Sequence, residues 1–120
     1  MPRLLTPAEL EIMGALWDLS EAPVHAVQER LGDRRAYTTI STLLRILEQK
    51  GFVKSRKSGR QHLYRAAREK GAYQKATLRD LLARVFGGDA TALLRSLVAT
   101  GDVTKEDVAE LRKLLGKEKP

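Results

Sequence analysis

Most apolar residues of this chain recur at intervals of three and four positions, the spacing that places them on one face of a helix. Capping signals mark where several of these helices begin. Thr6 with Glu9 and Thr104 with Asp107 form capping boxes, and Asp89 is a further candidate cap. The pattern predicts helices at residues 7–19, 24–31, 36–50, 69–86, from 90 onward and from 105 to 116.

One segment breaks this periodicity. Apolar and polar residues alternate loosely in residues 52–56 and again in 61–66, and residues 57–60 between them read Lys-Ser-Gly-Arg. Two short alternating runs around a Ser-Gly turn predict a β-hairpin.

The order of these elements predicts how the chain is organised. Two helices joined by the short link 33–35 and followed by a hairpin have the order of a winged helix. Residues 20–23 are predicted to form a turn, and Gly32 to end the second helix. We therefore predict a mainly α protein, with a winged helix-turn-helix domain of three helices plus a β-hairpin wing at 1–68 and a C-terminal helical dimerisation arm at 69–120.

The third predicted helix carries an unusual polar face. Its apolar stripe consists of Ile40, Leu43, Leu44 and Leu47. The opposite stripe, rich in hydroxyl and amide groups with a single cation, consists of Thr38, Ser41, Thr42, Arg45 and Gln49. An ordinary solvated face would carry acid–base pairs instead. Short hydroxyls let a helix approach base edges, and an arginine can bind a guanine or a phosphate, so this pattern indicates a DNA recognition helix.

The positive charge of the chain is concentrated on the same segment. The net charge is +7, but between Arg34 and Lys70 eleven Lys and Arg face only Glu48 and Glu69, and the remainder is slightly acidic. This asymmetry favours nucleic acid as the partner. A membrane surface is the alternative anion, yet no helix pairs a basic face with a bulky aromatic one. The hairpin adds phosphate-contact candidates, namely Lys54, Arg56, Lys57, Arg60 and His62.

Composition narrows the classes of function. The chain has no cysteine, which removes disulfides, thiolate metal sites and cysteine nucleophiles. His25 and His62 have no partner at metal-ligand spacing, and no glycine-rich phosphate loop occurs. We therefore expect no enzyme activity, metal or cofactor. No apolar run approaches the roughly 20 residues of a membrane span, and no signal-peptide core is present, so we expect a cytoplasmic protein without membrane insertion.

The predicted arm has leucine-rich faces that three short helices cannot easily bury by themselves. The arm can fold back on the first domain or pair with the same arm of a second chain. We favour a homodimer, because a small DNA-binding protein gains specificity by doubling its contacts on a palindromic site. The candidate dimerisation residues are Leu78, Leu82, Phe86, Leu93, Leu94, Leu97, Val108, Leu111, Leu114 and Leu115.

Three motifs in order resemble a known family. They are Leu-Thr-Pro-Ala-Glu through Leu-Trp at 5–17, Ala-Tyr-Thr-Thr-Ile through Lys-Gly-Phe-Val at 36–53, and Val-Phe-Gly-Gly-Asp at 85–89. Together they resemble the BlaI/MecI/CopY family of transcriptional repressors, the penicillinase-repressor group. The resemblance implies a winged helix with its third helix in the major groove, a dimerisation arm, and repression by covering a promoter dyad. It adds Tyr37 and Thr39 to the DNA-contact candidates.

Two departures limit what the resemblance implies about regulation. Copper-responsive members carry a cysteine-rich metal site, which this chain lacks. In β-lactam-responsive members a membrane sensor-protease triggers cleavage in the helix after Gly-Gly-Asp. The matching bond joins Ser96 and Leu97, but Ser96 replaces the typical asparagine. The resemblance therefore implies a candidate cleavage site and a candidate sensor-protease partner.

A second hypothesis uses the same fold for another purpose. A winged helix can serve as a protein-interaction module, with its basic hairpin binding an acidic partner. The salt dependence of DNA binding separates the two hypotheses, because neutralising phosphates must release counterions.

Overall fold

A computed structural model of the protein describes residues 4–32 and 34–117. Within these residues the chain forms six helices and three strands, which confirms the predicted mainly α winged helix. The elements are α1 Pro7–Leu19, β1 Glu21–Ala22, α2 Val24–Arg30, α3 Tyr37–Gln49, β2 Val53–Ser58, β3 Gln61–Ala66, α4 Lys70–Phe86, α5 Ala90–Ala99 and α6 Lys105–Lys117. Asp33, in the predicted link between α2 and α3, lies outside the described residues. The chain divides into two compact units between Thr77 and Leu78.

The core of the first unit is formed by α1, α2, α3 and the sheet. Its fully buried side chains are Ile12, Met13, Leu16, Val27, Ile40, Leu44, Leu47, Phe52 and Val53. The predicted apolar stripe of α3 faces this core, although Leu43 is only partly buried. At the start of α1 the predicted capping box is present, with the Glu9 N–H donating to Thr6 Oγ1 at 3.1 Å and the Thr6 N–H donating to Glu9 Oε1 at 2.8 Å.

The sheet contains a strand that was not predicted. Its order is β1-β3-β2, and β1 pairs antiparallel with β3 through Glu21 opposite Arg65 and Ala22 opposite Tyr64. The prediction of a simple turn at residues 20–23 was therefore wrong for Glu21 and Ala22. Two residues are too few for alternation to reveal a strand. Ser20, with a φ of 71°, ends α1 and redirects the chain so that Ala22 becomes buried.

The wing is a tighter hairpin than predicted. Strand β2 continues to Ser58, which pairs with Gln61, so only Gly59 and Arg60 connect the strands. The predicted four-residue turn at 57–60 was therefore too long. Gly59 has a φ of 63°, and two-residue hairpin loops require such left-handed backbone. Lys57 consequently lies within β2, opposite His62.

The first turns of α4 belong to the first unit because of Tyr73. This buried ring lies edge-on to Phe52 at 5.8 Å between centroids and 6.3 Å from Trp17, and its hydroxyl accepts a hydrogen bond from the Leu5 N–H at 3.1 Å. Trp17 Nε1 also donates to the Arg68 carbonyl at 2.9 Å. The compact first unit thus extends past the boundary between residues 68 and 69 that the sequence suggested.

The second unit has well-capped helices but, from residue 78 to residue 117, no buried core. Asp89 accepts from the Ala92 N–H at 3.0 Å, and Thr104 and Asp107 form the predicted capping box. Helix α6 continues through Gly116 to Lys117, one residue beyond its predicted end. No residue from 78 to 117 is buried. Of the ten candidate dimerisation residues, Leu82, Phe86 and Leu93 are partly buried and the other seven are exposed.

Candidate nucleic-acid interface

Helix α3 presents its polar face to solvent. Thr38, Thr39, Thr42 and Arg45 are exposed and Ser41 is partly buried. With 3.6 residues per turn, Thr38, Thr42, Arg45 and the exposed Gln49 lie opposite the buried stripe of α3. Thr39 lies at one edge of this outward face.

Among the described residues, no side chain caps the N-terminus of α3. Its N-cap residue is Ala36, which carries no acceptor, and Tyr37 follows it. The first N–H groups of a helix have no partner within the helix, and they carry the positive end of the helix dipole. An uncapped α3 therefore offers donors to an anion such as a DNA phosphate.

A cleft separates α3 from the wing. It has a volume of about 380 Å³ and is lined by Pro23, Val24, His25, Tyr37, Ser41, Arg45, Glu48, Ser55, Arg60, Gln61, His62 and Tyr64. It brings together five predicted DNA contacts: Tyr37, Ser41 and Arg45 from α3, and Arg60 and His62 from the wing. His25 also lines the cleft, and no local sequence pattern had indicated that it would.

The wing divides its cations between two faces. Ser55 and Tyr64 pair across the hairpin and line the cleft, and strand alternation places Lys57 and His62 on that same face. The opposite face carries Lys54, Arg56 and Arg65. Arg60 lies at the tip. The predicted wing contacts therefore do not form one surface: Lys57, Arg60 and His62 lie on the α3 side or at the tip, and Lys54 and Arg56 lie on the other face.

Arg56 already has an anionic partner. Its Nε and Nη2 atoms donate to the two carboxylate oxygens of Glu21 at 2.9 and 2.8 Å. These hydrogen bonds hold the pKa of Glu21 below its ordinary value and raise the pKa of Arg56. A phosphate that binds Arg56 would have to compete with this bidentate pair.

Three further cations of the basic segment are paired with acids of α1. Arg34 and Arg35 each lie 2.8 Å from a carboxylate oxygen of Glu11, and Lys50 Nζ lies 2.7 Å from Glu9 Oε2. Together with Arg56, four of the eleven cations counted from the sequence are thus neutralised by acids outside the segment. The positive charge that this segment offers to DNA is therefore smaller than its number of Lys and Arg suggested.

Three of the cations that remain without an ion pair among the described residues lie in or beside the cleft. Among the described residues Arg45, Lys57 and Arg60 form no ion pair, and all three are exposed. Glu48 is the one acid among the described residues that line the cleft, and it accepts a hydrogen bond from Ser55 Oγ at 2.6 Å. The sequence pattern had not singled out Glu48. A carboxylate can accept a hydrogen bond from the amino group of a cytosine, and it repels a phosphate.

Across residues 4–32 and 34–117, no three His, Asp or Glu side chains form a group that would hold a metal ion. None of the helices in that part of the chain is long and apolar enough to cross a membrane.

A polar helix face beside a basic two-stranded wing defines the class of winged-helix DNA-binding proteins. The sequence profile described as "Penicillinase repressor" matches residues 5–117, and the chain belongs to that family. This confirms the resemblance drawn from the three motifs. The protein is a DNA-binding transcriptional repressor and not an enzyme.

Individual relatives agree with this assignment. The methicillin resistance regulatory protein MecI of Mammaliicoccus sciuri is 26% identical over 115 residues, which cover 94% of each chain. The solution structure of Bacillus licheniformis BlaI, in its monomeric form in complex with the blaP half-operator, is 28% identical with a TM-score of 0.51. That match covers 61% of this chain and 92% of the BlaI chain in that structure. A cysteine-to-serine mutant of MarR from Escherichia coli, 20% identical with a TM-score of 0.51 over 97% of this chain and 79% of its own, shares the fold.

Proposed function

We propose that the protein represses transcription as a cytoplasmic homodimer that covers a palindromic operator, with α3 of each chain in the major groove and the wing along the backbone. The observation that carries this proposal is the outward face of α3. There, Thr38 and Thr42 share the exposed face of the helix with Arg45, which forms no ion pair among the described residues.

The base contacts are assigned to α3. Arg45 carries a planar guanidinium that can donate two parallel hydrogen bonds to guanine. Thr38, Thr39 and Thr42 supply short hydroxyls and methyl groups for neighbouring bases, and Tyr37 and Ser41 lie nearer to the cleft. A good bidentate contact contributes about 1–3 kcal/mol of discrimination against the wrong base.

The phosphate contacts are assigned mainly to the α3 side of the wing. Lys57, Arg60 and His62 are exposed at or near the cleft, where they can reach a backbone that follows the major groove. Lys54 and Arg56 are secondary candidates, because they lie on the opposite face and Arg56 is held by Glu21.

Homodimerisation is assigned to the second unit. Leu78, Leu94, Leu97, Val108, Leu111, Leu114 and Leu115 remain between 38% and 61% exposed. Covering the rest of such side chains contributes roughly 1 kcal/mol each, before the cost of association is subtracted. The bound form of BlaI supports two chains per site, since a monomer of that relative is in complex with a half-operator.

We propose further that proteolysis in α5 releases the repressor from DNA. The candidate bond between Ser96 and Leu97 lies in the middle of α5, and both residues are exposed. Because a protease needs extended backbone, α5 would have to open locally before cleavage. Mass spectrometry of the protein from cells grown with and without a β-lactam, the signal for the β-lactam-responsive members of the family, tests this step. Fragments that end at Ser96 would support it, and an intact chain in fully induced cells would contradict it.

The DNA-binding proposal is tested by fluorescence anisotropy on the upstream promoter DNA of the protein against a scrambled duplex, across a salt series. We expect preference for the promoter, a steep loss of affinity with salt, and two chains per site. Weak binding to both duplexes with little salt dependence would favour a protein-interaction module instead.

A further inference from the structure

The side chain of Glu11 holds two consecutive arginines in front of α3. Its Oε1 accepts from Arg34 Nη2 and its Oε2 accepts from Arg35 Nη2, each at 2.8 Å. Both arginines make a further hydrogen bond, since Arg34 Nε donates to the Leu31 carbonyl at 3.0 Å and the Arg35 carbonyl accepts from Gln28 Nε2 at 3.1 Å. We call Glu11, Arg34 and Arg35 the link clamp.

The link clamp lies beside the residues assigned to DNA. Arg35 directly precedes Ala36, the N-cap of α3, and the uncapped N-terminus of α3 follows. With α3 in the major groove as proposed, an arginine at this position that is not held by Glu11 would lie near the phosphates that flank the inserted helix. Such contacts bind any DNA sequence alike, because phosphates carry no sequence information.

We propose that Glu11 withholds Arg34 and Arg35 from DNA phosphates and thereby sets how strongly the protein prefers its operator over other DNA. This inference rests on the proposed placement of α3 in the major groove. Glu11 is a positioning residue: it contacts no DNA itself and acts through the two guanidiniums.

The link clamp is suited to weaken the binding of the protein to DNA rather than to abolish it. The Arg34 side chain is 67% exposed and that of Arg35 is 32% exposed, so solvent screens the first ion pair more than the second. The hydrogen bond from Arg35 holds the pKa of Glu11 below its ordinary value, although burial opposes it. The carboxylate is therefore ionised at neutral pH.

The experiment compares Glu11→Gln with wild type on the upstream promoter duplex and on a scrambled duplex across a salt series. A freed arginine that reaches a phosphate steepens the slope of log affinity against log salt by about 0.9. We expect Glu11→Gln to bind the scrambled duplex more tightly, with a slope steeper by roughly 1–2, and to prefer the promoter less. The control Glu29→Gln, which removes the same charge from an exposed site on α2, should leave slope and preference close to wild type.

A second variant keeps the test decisive if Glu11→Gln folds poorly. The double variant Arg34→Gln/Arg35→Gln removes both cations of the link clamp and keeps Glu11. If Glu11 withholds both arginines, this variant keeps the wild-type salt slope on the scrambled duplex. A slope shallower by about 2 would show that both arginines already contact phosphates, which overturns the proposal.

The remaining outcomes separate this proposal from the proposed function. A Glu11→Gln variant that is less stable to heat but keeps the wild-type slope and preference would show a structural clamp only, and would overturn the withholding role. If wild type itself shows no preference for the promoter and no salt dependence, the placement of α3 in DNA fails, and the inference fails with it.

Discussion

Replacing Lys50 by methionine should destabilise the first unit strongly. Lys50 is the C-cap residue of α3, and its ammonium lies 2.7 Å from Glu9 Oε2 at the start of α1. The Glu9 side chain is only 3% exposed, whereas that of Lys50 is 24% exposed. The variant Lys50→Met keeps the aliphatic stem but leaves a carboxylate buried without its cation.

The magnitude follows from this burial. Breaking a fully buried ion pair by removing one partner costs about 3–5 kcal/mol. Since water reaches part of Lys50, and Glu9 keeps the hydrogen bond from the Thr6 N–H, we expect a loss of about 2–3 kcal/mol in the free energy of unfolding. For a unit of this size, such a loss lowers the Tm by roughly 10–20 °C.

The assay is urea unfolding followed by the fluorescence of Trp17, the single tryptophan, which reports on the first unit. The matched control is Lys54→Met, an exposed lysine of β2 that forms no ion pair among the described residues and should change stability by less than about 0.5 kcal/mol. Adding Glu9→Gln to Lys50→Met should restore part of the loss, because no buried charge is then unpaired. If Lys50→Met changes stability no more than the control does, the buried ion pair does not hold α1 to α3.

The same pair predicts a pH dependence. Burial raises the pKa of Glu9, but the hydrogen bonds from Lys50 and Thr6 and the charge of Lys50 outweigh it and hold this pKa below its ordinary value. A lowered carboxyl pKa contributes stability above the unfolded value of about 4.3, and this is lost as the pH falls through the folded value. In Lys50→Met the hydrogen bond and the charge of Lys50 are removed and only the hydrogen bonds from Thr6 oppose burial, so the pKa of Glu9 is higher than in wild type. The difference in unfolding free energy between wild type and Lys50→Met should therefore narrow as the pH falls below about 4.3; a constant difference would contradict this account.

Two further predictions follow from the first unit. Tyr73→Phe removes the hydroxyl that accepts from the buried Leu5 N–H but keeps the ring, so we expect a loss of about 1–2 kcal/mol in the same unfolding assay, and an unchanged midpoint would show that this hydrogen bond is dispensable. Arg60→Gln should reduce the slope of log affinity for DNA against log salt by about 1. Arg56→Gln should leave this slope nearly unchanged, because Glu21 already holds Arg56. Equal reductions in the two variants would refute the division of the wing into two faces.

The helices could be predicted because their signals are local. Apolar spacing located all six described helices. The capping boxes at Thr6 and Thr104 marked where α1 and α6 begin. The outward face of α3 followed from the same periodicity. Strand β1 could not be predicted, because two residues give no alternation and their only signal is the partner strand β3.

The ion pairs that shape the candidate site could not be predicted either. Glu9 and Lys50 are 41 positions apart, Glu21 and Arg56 are 35 apart, and Glu11 lies 23 positions before Arg34. No local pattern links acids and cations at such distances. The sequence therefore located the basic segment correctly but overstated how much of its charge is available to DNA.

The most direct test of the central claim compares Arg45→Ala with Arg60→Ala on operator and scrambled duplexes at one fixed salt concentration. If α3 reads bases and the wing binds the backbone, Arg45→Ala weakens operator binding by roughly 1–3 kcal/mol and scrambled binding far less, whereas Arg60→Ala weakens both alike. Equal losses on both duplexes for Arg45→Ala would contradict the assignment of α3 as the recognition helix.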